Sequence, residues 1–346
     1  MPLMYQLFES QELNLQGTVI GPEDDDFHPE LASERLQKAL GGIQTDEKVL
    51  IDVTVAHTNF QRQKIMESYQ AMFERDLLVD LADETGGYLY DILKALYTPS
   101  PVFTATLIHH SISDANVEFQ GITALEIVST HTTKQMRAVR EAYQMKYKKT
   151  PEKDIARKVD GLFGKMLQSL FREPRDENDE VNNELLEKQV TTICSAPGTI
   201  EELGRSLSLF EEVFAGTSWN HISTLVSRLE DELNAGKSIE NLLRRNQNMH
   251  GDIRQMLIVL VKISRNIQTY FAEKLHEAIS ADWPDYSVIN NTIVLRCEID
   301  LFDICNEYRR EFRASLLKDL QMVCSGEYFR VISRLLPNCF IGRRRT

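Results

Sequence analysis

Apolar positions recur at helical spacing in four segments of the chain, and the four segments share one register. In the first segment, Thr58 is followed by Ile65, Tyr69, Phe73 and Leu81. The same order returns at offsets of 74, 160 and 239 residues, with Thr132, Val139, Tyr143, Tyr147 and Ile155, then Ser218, Leu225, Leu229 and Leu233, then Cys297, Ile304, Tyr308, Phe312 and Leu320. Residues four and eight positions apart lie on one face of an α-helix, so each segment predicts an amphipathic helix that faces the core.

A glycine marks the same point in each segment and extends the repeat. Gly87, Gly161 and Gly326 are related by the first and last offsets, and Gly251 joins them once a short insertion in the third segment is allowed for. A glycine between two helices is typical of a tight left-handed turn. Apolar spacings of three and four dominate and strand patterns are scarce, which predicts an all-α protein.

The repeat divides the chain into copies of about 70 residues, which we number from one to four. Their expected limits are 33–98, 103–171, 190–261 and 266–337, with a polar, charged linker over 172–189. The acidic run at 23–26 predicts a solvated, poorly ordered arm over 1–32, and residues 338–346 form a basic tail. Four helical copies can stack as an open solenoid or close on themselves, and the repeat does not decide between the two.

Charge and composition narrow the class of protein. A net charge of −13 over 346 residues argues against general affinity for nucleic acid. The chain has no run of 18 apolar residues and does not start with the basic-then-apolar layout of a signal peptide. Its five cysteines form no CxxC pair, so we expect reduced thiols in a cytoplasmic protein. Hydrolase, metalloprotease and P-loop motifs are missing, so we do not expect an enzyme.

A glycine loop and a distant carboxylate form the strongest candidate site. The loop spans residues 40–47, with the sequence Leu-Gly-Gly-Ile-Gln-Thr-Asp-Glu, and the carboxylate is Glu84, 42 residues after Gly42. A tight glycine turn can aim backbone carbonyls at one point, and a carboxylate from a second loop can close the cage. Hard oxygen ligands of this kind suit Ca²⁺, so the pattern predicts a calcium site in copy one.

Residues 36–96 and 255–328 resemble annexin repeats. The loop at 40–47 is similar to the annexin loop Met-Lys-Gly-x-Gly-Thr-Asp-Glu, and residues 298–302 and 314–316 resemble the signature of the fourth annexin repeat. The resemblance covers about 300 residues and all four copies. It implies four five-helix bundles packed as a curved disc, with the loops between helices on the convex face. It also implies calcium-dependent binding to acidic phospholipid membranes.

The resemblance further implies which atoms of copy one would hold the cation. The carbonyl oxygens of Leu40, Gly42 and Gln44 would be ligands, and Glu84 would give both carboxylate oxygens. Gln44 replaces the second glycine of the annexin loop, at a cost of about 1 kcal/mol if that position needs a positive φ. We expect Thr45 to cap the helix that follows. The alternative is a helix-capping turn beside a solvated Glu84.

The other three copies have lost the acidic residue at the position of Glu84. Copy two has Lys158, copy three has Asn248 and copy four has Val323. A lysine repels a cation, a neutral amide is a poorer ligand than a carboxylate, and a valine has no donor atom. The corresponding loop positions are Asn116 and Glu118 in copy two, Glu202, Gly204 and Arg205 in copy three, and the run Ala281–Asp285 in copy four. We therefore expect calcium binding in copy one only.

Two functions remain open. The chain is a peripheral membrane protein that binds acidic phospholipid through Ca²⁺ at copy one, or it is a calcium-insensitive scaffold for cytoskeletal or other protein partners. A tryptophan, Trp283, lies beside Pro284 in the copy-four loop. Its side chain can reach the lipid interface or pack under its own loop, and we expect it to pack.

Overall fold

The computed structural model describes residues 15–42, 44–114, 120–178, 180–233 and 238–337. Over these ranges the secondary structure consists of twenty α-helices and two 3-10 helices, without a strand. The predicted all-α class is therefore confirmed. Each copy contributes five α-helices, as expected for a five-helix bundle.

The described residues form two compact units, one from 15–103 with 271–337 and the other from 104–270. The first unit holds copies one and four, with α1 (Pro29–Leu40), α2 (Glu47–Val55), α3 (Asn59–Phe73), α4 (Leu77–Glu84), α5 (Gly87–Tyr97), α17 (Tyr286–Arg296), α18 (Leu301–Phe312), α19 (Leu316–Val323) and α20 (Gly326–Leu335). The chain leaves this unit within α6 (Ser100–Ser113) and returns to it within α16 (Ile267–Ser280).

The second unit holds copies two and three. After α6 its helices are α7 (Ile122–Thr130), α8 (Thr133–Tyr147), α9 (Pro151–Lys158), α10 (Gly161–Arg172), α11 (Asn183–Ser195), α12 (Leu207–Phe214), α13 (Trp219–Glu232), α14 (Ile239–Arg245) and α15 (Gly251–Arg265). A 3-10 helix over Thr199–Gly204 precedes α12. None of the helices in the described part of the chain combines the length and the hydropathy that crossing a bilayer requires.

Helix ends differ from the expected limits where local capping extends a helix. Helix α1 begins at Pro29, because a proline at the first helical position is already shaped for the helix. Helix α11 begins at Asn183, inside the segment expected as linker. Asn182 caps it by accepting a hydrogen bond from the Leu185 backbone N–H at 3.0 Å, and Leu186 is buried.

The repeated register produces the same core contact in three copies. Tyr69, Tyr143 and Tyr308 are buried, as the helical spacing predicts. Their hydroxyl groups donate to Asp80 at 2.6 Å, Asp154 at 2.8 Å and Asp319 at 2.6 Å, respectively. Burial raises the pKa of these tyrosines, and the hydrogen bond to a carboxylate adds to the effect. Copy three has Leu229 at this position, so it lacks the bond.

The predicted left-handed glycine turn is confirmed in three copies. Gly87, Gly161 and Gly326 have φ values of 54°, 75° and 60°. Gly251 is the exception, because it begins α15 without a positive φ.

The segment 15–28 is ordered against copy four, which differs from the solvated arm expected over 1–32. The backbone N–H groups of Thr18 and Val19 donate to the Cys297 carbonyl at 2.7 Å and 3.0 Å, and Val19 is buried. A Cβ at Gly17 would lie 2.8 Å from the Glu298 carbonyl carbon, so only glycine allows the approach. The acidic run over Asp24–Asp26 forms a 3-10 turn.

Copies one and four share a core within the first unit. Helix α5 packs against α17 and α20, and α2 also contacts α20. Side chains such as Leu36, Ile51, Ile92 and Val331 are fully buried there. This packing fixes the positions of the loop after α1 and the end of α4, which carry the candidate site of copy one. It also fixes the corresponding parts of copy four, which are the loop before α17 and the end of α19.

Candidate calcium site

The copy-one loop turns back on the end of α1 and caps α2. The Asp46 backbone N–H donates to the Ala39 carbonyl at 3.0 Å. The Asp46 carboxylate accepts from the Val49 N–H at 3.1 Å, so Asp46 is the N-cap of α2. Thr45 is not the cap, which corrects the expectation from the sequence.

Thr45 instead joins the loop to the distant carboxylate. Its hydroxyl donates to Oε2 of Glu84 at 2.7 Å. Glu84 is the last residue of α4 and its side chain is exposed. The packing of α4 beside α1 therefore brings together the two parts of the predicted site. A carboxylate has about four lone-pair positions, so the bond to Thr45 leaves acceptor capacity for a cation.

The carbonyl oxygens predicted as ligands accept no backbone hydrogen bond from the described residues. No N–H in the described ranges donates to the carbonyl oxygens of Leu40, Gly42 or Gln44. Gly42 makes the turn compact, since a Cβ there would lie 3.0 Å from the Gln44 carbonyl oxygen.

The donor chemistry of copy one fits Ca²⁺. Main-chain carbonyls and a carboxylate are hard oxygen ligands, which this ion prefers. Among the residues the structure describes, no group of three or more His, Cys, Asp or Glu side chains could hold a metal ion. A site in copy one would thus need the loop carbonyls together with Glu84.

Copy two places a cationic side chain at the position of Glu84. The Lys158 ammonium group donates to Oγ of Ser113 at 2.7 Å and lies 3.7 Å from the Asp154 carboxylate. Ser113 is the last residue of α6, where the candidate loop starts. The loop residues Asn116 and Glu118 lie outside the described residues. The Lys158 ammonium group repels any Ca²⁺ that approaches the loop of copy two.

His109 in copy two offers a pH-dependent test of this arrangement. Its Nδ1 lies 3.0 Å from the Tyr143 hydroxyl and 3.6 Å from Asp154. Burial, and then the charge of Lys158, lowers the pKa of His109 from its ordinary value of 6.5. Because the unfolded chain binds more protons than the folded protein just below that value, stability falls as the pH drops through it.

The variant His109→Gln is expected to reduce this loss of stability. We expect a smaller fall in melting temperature between about pH 7.5 and about pH 5.5 than in the unmodified protein. The exposed neighbour gives the control, His110→Gln. The pKa values of His57 and His221 are also lowered by burial, so some pH dependence remains. Equal pH dependence in both variants would contradict the role of His109.

In copy three, residues of the loop form a hydrogen-bonded cluster with Asn248, which stands at the position of Glu84. Glu201 forms an ion pair with Arg205 at 2.7 Å and accepts from Asn246 at 2.8 Å and from Asn248 at 3.4 Å. The Glu202 carbonyl accepts from the backbone N–H groups of Arg205 and Ser206. The loop oxygens of this copy are therefore engaged within the protein.

Gly204 in copy three serves packing. A Cβ at this glycine would lie 2.8 Å from the terminal methyl carbon of Met249. Gly204 is buried at the end of the 3-10 helix. Gly204, the glycine of the calcium-loop pattern that copy three keeps, thus leaves room for the side chain of Met249.

Copy four keeps the turn of copy one but replaces its chemistry. The Asp285 N–H donates to the Ala278 carbonyl at 3.0 Å, and the Asp285 carboxylate caps α17 at the Val288 N–H. These residues stand 239 positions after Asp46, Ala39 and Val49. The Tyr286 hydroxyl donates to the Val323 carbonyl at 2.7 Å, so a neutral hydrogen bond joins the loop to the former acid position.

The copy-four loop exposes its tryptophan. Trp283 is 89% exposed, so the expectation that it packs under its own loop is wrong. The carboxylate of Asp285 is used in the helix cap, and Asp282 is exposed.

Sequence reasoning found Glu84 and the loop but missed the residues that join them. Thr45 was interpreted as a cap because a hydroxyl before an acidic helix start usually is one. Asp46 is an equally good cap and takes that role, which frees the Thr45 hydroxyl for Glu84. The sequence did contain a signal for this arrangement: two capping residues, Thr45 and Asp46, stand side by side before α2, and a helix needs only one N-cap.

Comparisons with known proteins agree with this architecture. The family model described as Annexin matches residues 31–96, 105–170 and 270–335. Annexin A3 from Homo sapiens is 32% identical over 303 residues, covering 88% of this chain and 91% of that protein. Annexin A3 from Mus musculus is 29% identical over 309 residues, covering 89% and 93%.

Solved structures give the same result. The structure titled annexin III has a TM-score of 0.83 at 28% identity, covering 95% of this chain and 98% of that chain. The structure of chicken annexin V has a TM-score of 0.83 at 26% identity, covering 94% and 100%. The family model alone spans more than half of the residues, and its three matched segments coincide with copies one, two and four. The chain therefore belongs to the annexin family.

Proposed function

We propose that this protein attaches to acidic phospholipid surfaces through one Ca²⁺ held in copy one. Annexins are generally calcium-dependent phospholipid-binding proteins. The ligands would be the carbonyl oxygens of Leu40, Gly42 and Gln44 and the carboxylate of Glu84. The observation that supports this assignment most is the 2.7 Å bond from Thr45 to Glu84, which holds the carboxylate at the glycine loop.

The ligand count explains how such a site would bridge protein and lipid. Ca²⁺ takes about six to eight oxygen ligands. Three carbonyls and two carboxylate oxygens supply about five, so about one to three positions remain for water and a lipid phosphate. A bound cation would also offset local repulsion between the acidic lipid and a chain of net charge −13.

Thr45 acts as a positioning residue in this scheme. Its hydroxyl holds one oxygen of an exposed carboxylate that would otherwise sample several rotamers. A ligand that is already oriented loses less entropy on binding. The compact turn at Gly42 adds to this order, because an alanine there would press on the Gln44 carbonyl.

A single site predicts weak attachment. Tethered contacts raise effective concentration, so several weak sites acting together bind far more tightly than one. Copies two, three and four have Lys158, Asn248 and Val323 at the position of Glu84, each held in a hydrogen bond of its own. We infer that membrane binding requires high calcium and is readily reversed by chelation.

Vesicle sedimentation tests the proposal. With phosphatidylserine vesicles and millimolar Ca²⁺ the protein is expected to pellet, and a chelator is expected to release it. Glu84→Gln should abolish pelleting, because an amide cannot replace a bidentate carboxylate. Asp83→Asn is the matched control, since it removes the same charge one residue away on an exposed side chain.

The outcomes separate the proposal from its alternative. Pelleting that persists in Glu84→Gln would remove Glu84 from the mechanism, and equal loss in Asp83→Asn would indicate a general charge effect. Calorimetry of the protein with Ca²⁺ alone provides an independent readout, in which Glu84→Gln should lose the heat of binding.

A calcium-insensitive scaffold is the second candidate. It is favoured by the ammonium of Lys158, which donates to Ser113 at the end of α6. Such a protein would bind a protein partner, for example a cytoskeletal filament, in the presence of chelator. Co-sedimentation with actin filaments or microtubules in chelator, without pelleting on phosphatidylserine vesicles, would favour this alternative.

A further inference from the structure

Two bulky apolar side chains in copy four project into solvent. Trp283 is 89% exposed and Met322 is 84% exposed, the highest values among the large apolar residues described. Tryptophan is strongly buried on average, so an exposure of this size calls for an explanation. A single exposed leucine would not.

The two side chains stand on elements that are bonded to each other. Trp283 belongs to the loop before α17, and Met322 lies near the end of α19. The hydroxyl of Tyr286 donates to the carbonyl of Val323 at 2.7 Å, which fixes the loop beside that helix end. Trp283 and Met322 therefore emerge at the same end of copy four.

The Trp283 loop is the counterpart of the calcium loop in copy one. Trp283 follows Gln44 by the repeat offset of 239, and Asp285 closes its turn on Ala278 as Asp46 closes its turn on Ala39. Copy four thus carries an aromatic side chain at the position that Gln44 has in the turn of copy one.

An aromatic contact joins this loop to the copy-one site inside the first unit. The Tyr88 ring centroid lies 4.5 Å from that of Tyr286 and 5.5 Å from that of Tyr328. Tyr88 follows Glu84 by four residues and is 50% exposed. Tyr286, three residues after Trp283, therefore contacts a residue that follows Glu84 by four positions.

We propose that Trp283 and Met322 form an apolar anchor that enters the lipid interface beside the copy-one site. That the anchor lies beside a calcium site rests on the proposed function, but the binding of the anchor to lipid does not require Ca²⁺. Tryptophan and tyrosine prefer the boundary between headgroups and acyl chains, because an apolar ring can be buried while a polar edge stays hydrated.

The charges around Trp283 determine which lipid surface the anchor can use alone. Asp282 and Asp285 flank the tryptophan within the loop and are exposed. They repel anionic headgroups, so without Ca²⁺ the anchor should favour a zwitterionic surface. With Ca²⁺ at copy one, the same anchor should add to attachment on an acidic surface.

Quenching by brominated phospholipid tests insertion directly. The chain has two tryptophans, and the other, Trp219, donates to the Ser129 carbonyl at 3.0 Å with Arg175 over its ring at 3.7 Å. We expect bromine in the acyl chains to quench the emission of the bound protein. In Trp283→Phe the remaining emission should not be quenched.

Affinity variants measure the contribution of the anchor. Trp283→Ala should weaken binding to phosphatidylserine vesicles in Ca²⁺ roughly tenfold, and Met322→Ala by roughly threefold. The control is Leu31→Ala, since Leu31 is 56% exposed at the start of α1, about 15 Å along that helix from the loop. All three side chains are exposed, so melting temperatures should be unchanged.

The results separate this anchor from the calcium site. Binding that needs Glu84 while Trp283 stays unquenched would overturn the anchor and leave the calcium site standing. Quenching on phosphatidylcholine vesicles that persists in Glu84→Gln and in chelator would support the anchor even if the calcium site failed. Absence of binding to both vesicle types would overturn both.

Discussion

Asp300→Ala is expected to lower the free energy of unfolding by about 3–5 kcal/mol, because it leaves a buried arginine without its partner. Asp300 is fully buried and Arg296 is 2% exposed. The Arg296 guanidinium donates to both carboxylate oxygens, at 2.7 Å and 2.5 Å. A charge in that position cannot be solvated, so its full desolvation cost appears when the carboxylate is removed. Urea denaturation followed by circular dichroism measures the change.

A surface pair provides the control for this variant. Glu311 and Arg310 form an ion pair at 3.1 Å with exposed side chains, so Glu311→Ala should change stability by less than about 1 kcal/mol. The double variant Arg296→Met with Asp300→Leu should recover most of the loss, since apolar residues can replace a buried pair. Equal small effects at Asp300 and Glu311 would contradict the buried-charge explanation.

Gly164→Ala is expected to destabilise the protein by about 3 kcal/mol through a backbone clash. Gly164 is buried in the first turn of α10, and a Cβ there would lie 2.0 Å from the Val159 carbonyl oxygen. The Val159 oxygen is a backbone atom, and the added Cβ is fixed to the backbone of residue 164. The start of α10 or the preceding turn must therefore move. Because Val159 follows Lys158, the movement would reach the former acid position of copy two.

Gly251→Ala is the matched control for this prediction. Gly251 begins α15 in the same unit, has nothing within 4 Å of an added Cβ and lacks a positive φ. Replacing it should leave stability unchanged or raise it by up to about 1 kcal/mol, because alanine restricts the unfolded chain. Similar midpoints for the two variants in urea would rule out the clash at Gly164.

The fold could be predicted because the evidence for it is local and repeated. Apolar residues four and eight positions apart define a helix face wherever they occur, and the buried Tyr69, Tyr143 and Tyr308 follow that rule. Thr58 and Thr132 cap α3 and α8 with capping boxes, as their place ahead of each helix suggests. Cys297 lacks a capping oxygen, and α18 begins later, at Leu301.

The candidate site could be predicted only in part. The residue types at 40, 42, 44 and 84 are visible in sequence, and so is the loss of the acid at Lys158, Asn248 and Val323. The bond from Thr45 to Glu84 spans 39 residues and depends on how α1 and α4 pack, which no local pattern records. The ordered segment 15–28 was missed for the same reason, since its partner Cys297 lies 279 residues after Thr18.

The sequence by itself determined the four helical copies, the glycine turns at Gly87, Gly161 and Gly326, and the one loop that keeps calcium-binding residue types. Those features depend on periodicity and residue chemistry, which are properties of short stretches of chain. Only the tertiary structure decided that Thr45 holds Glu84, that Lys158 bonds to Ser113 and that Trp283 faces solvent. Each of these results from the spatial meeting of helix ends far apart in sequence, where side chains take whichever partner the packing brings within reach.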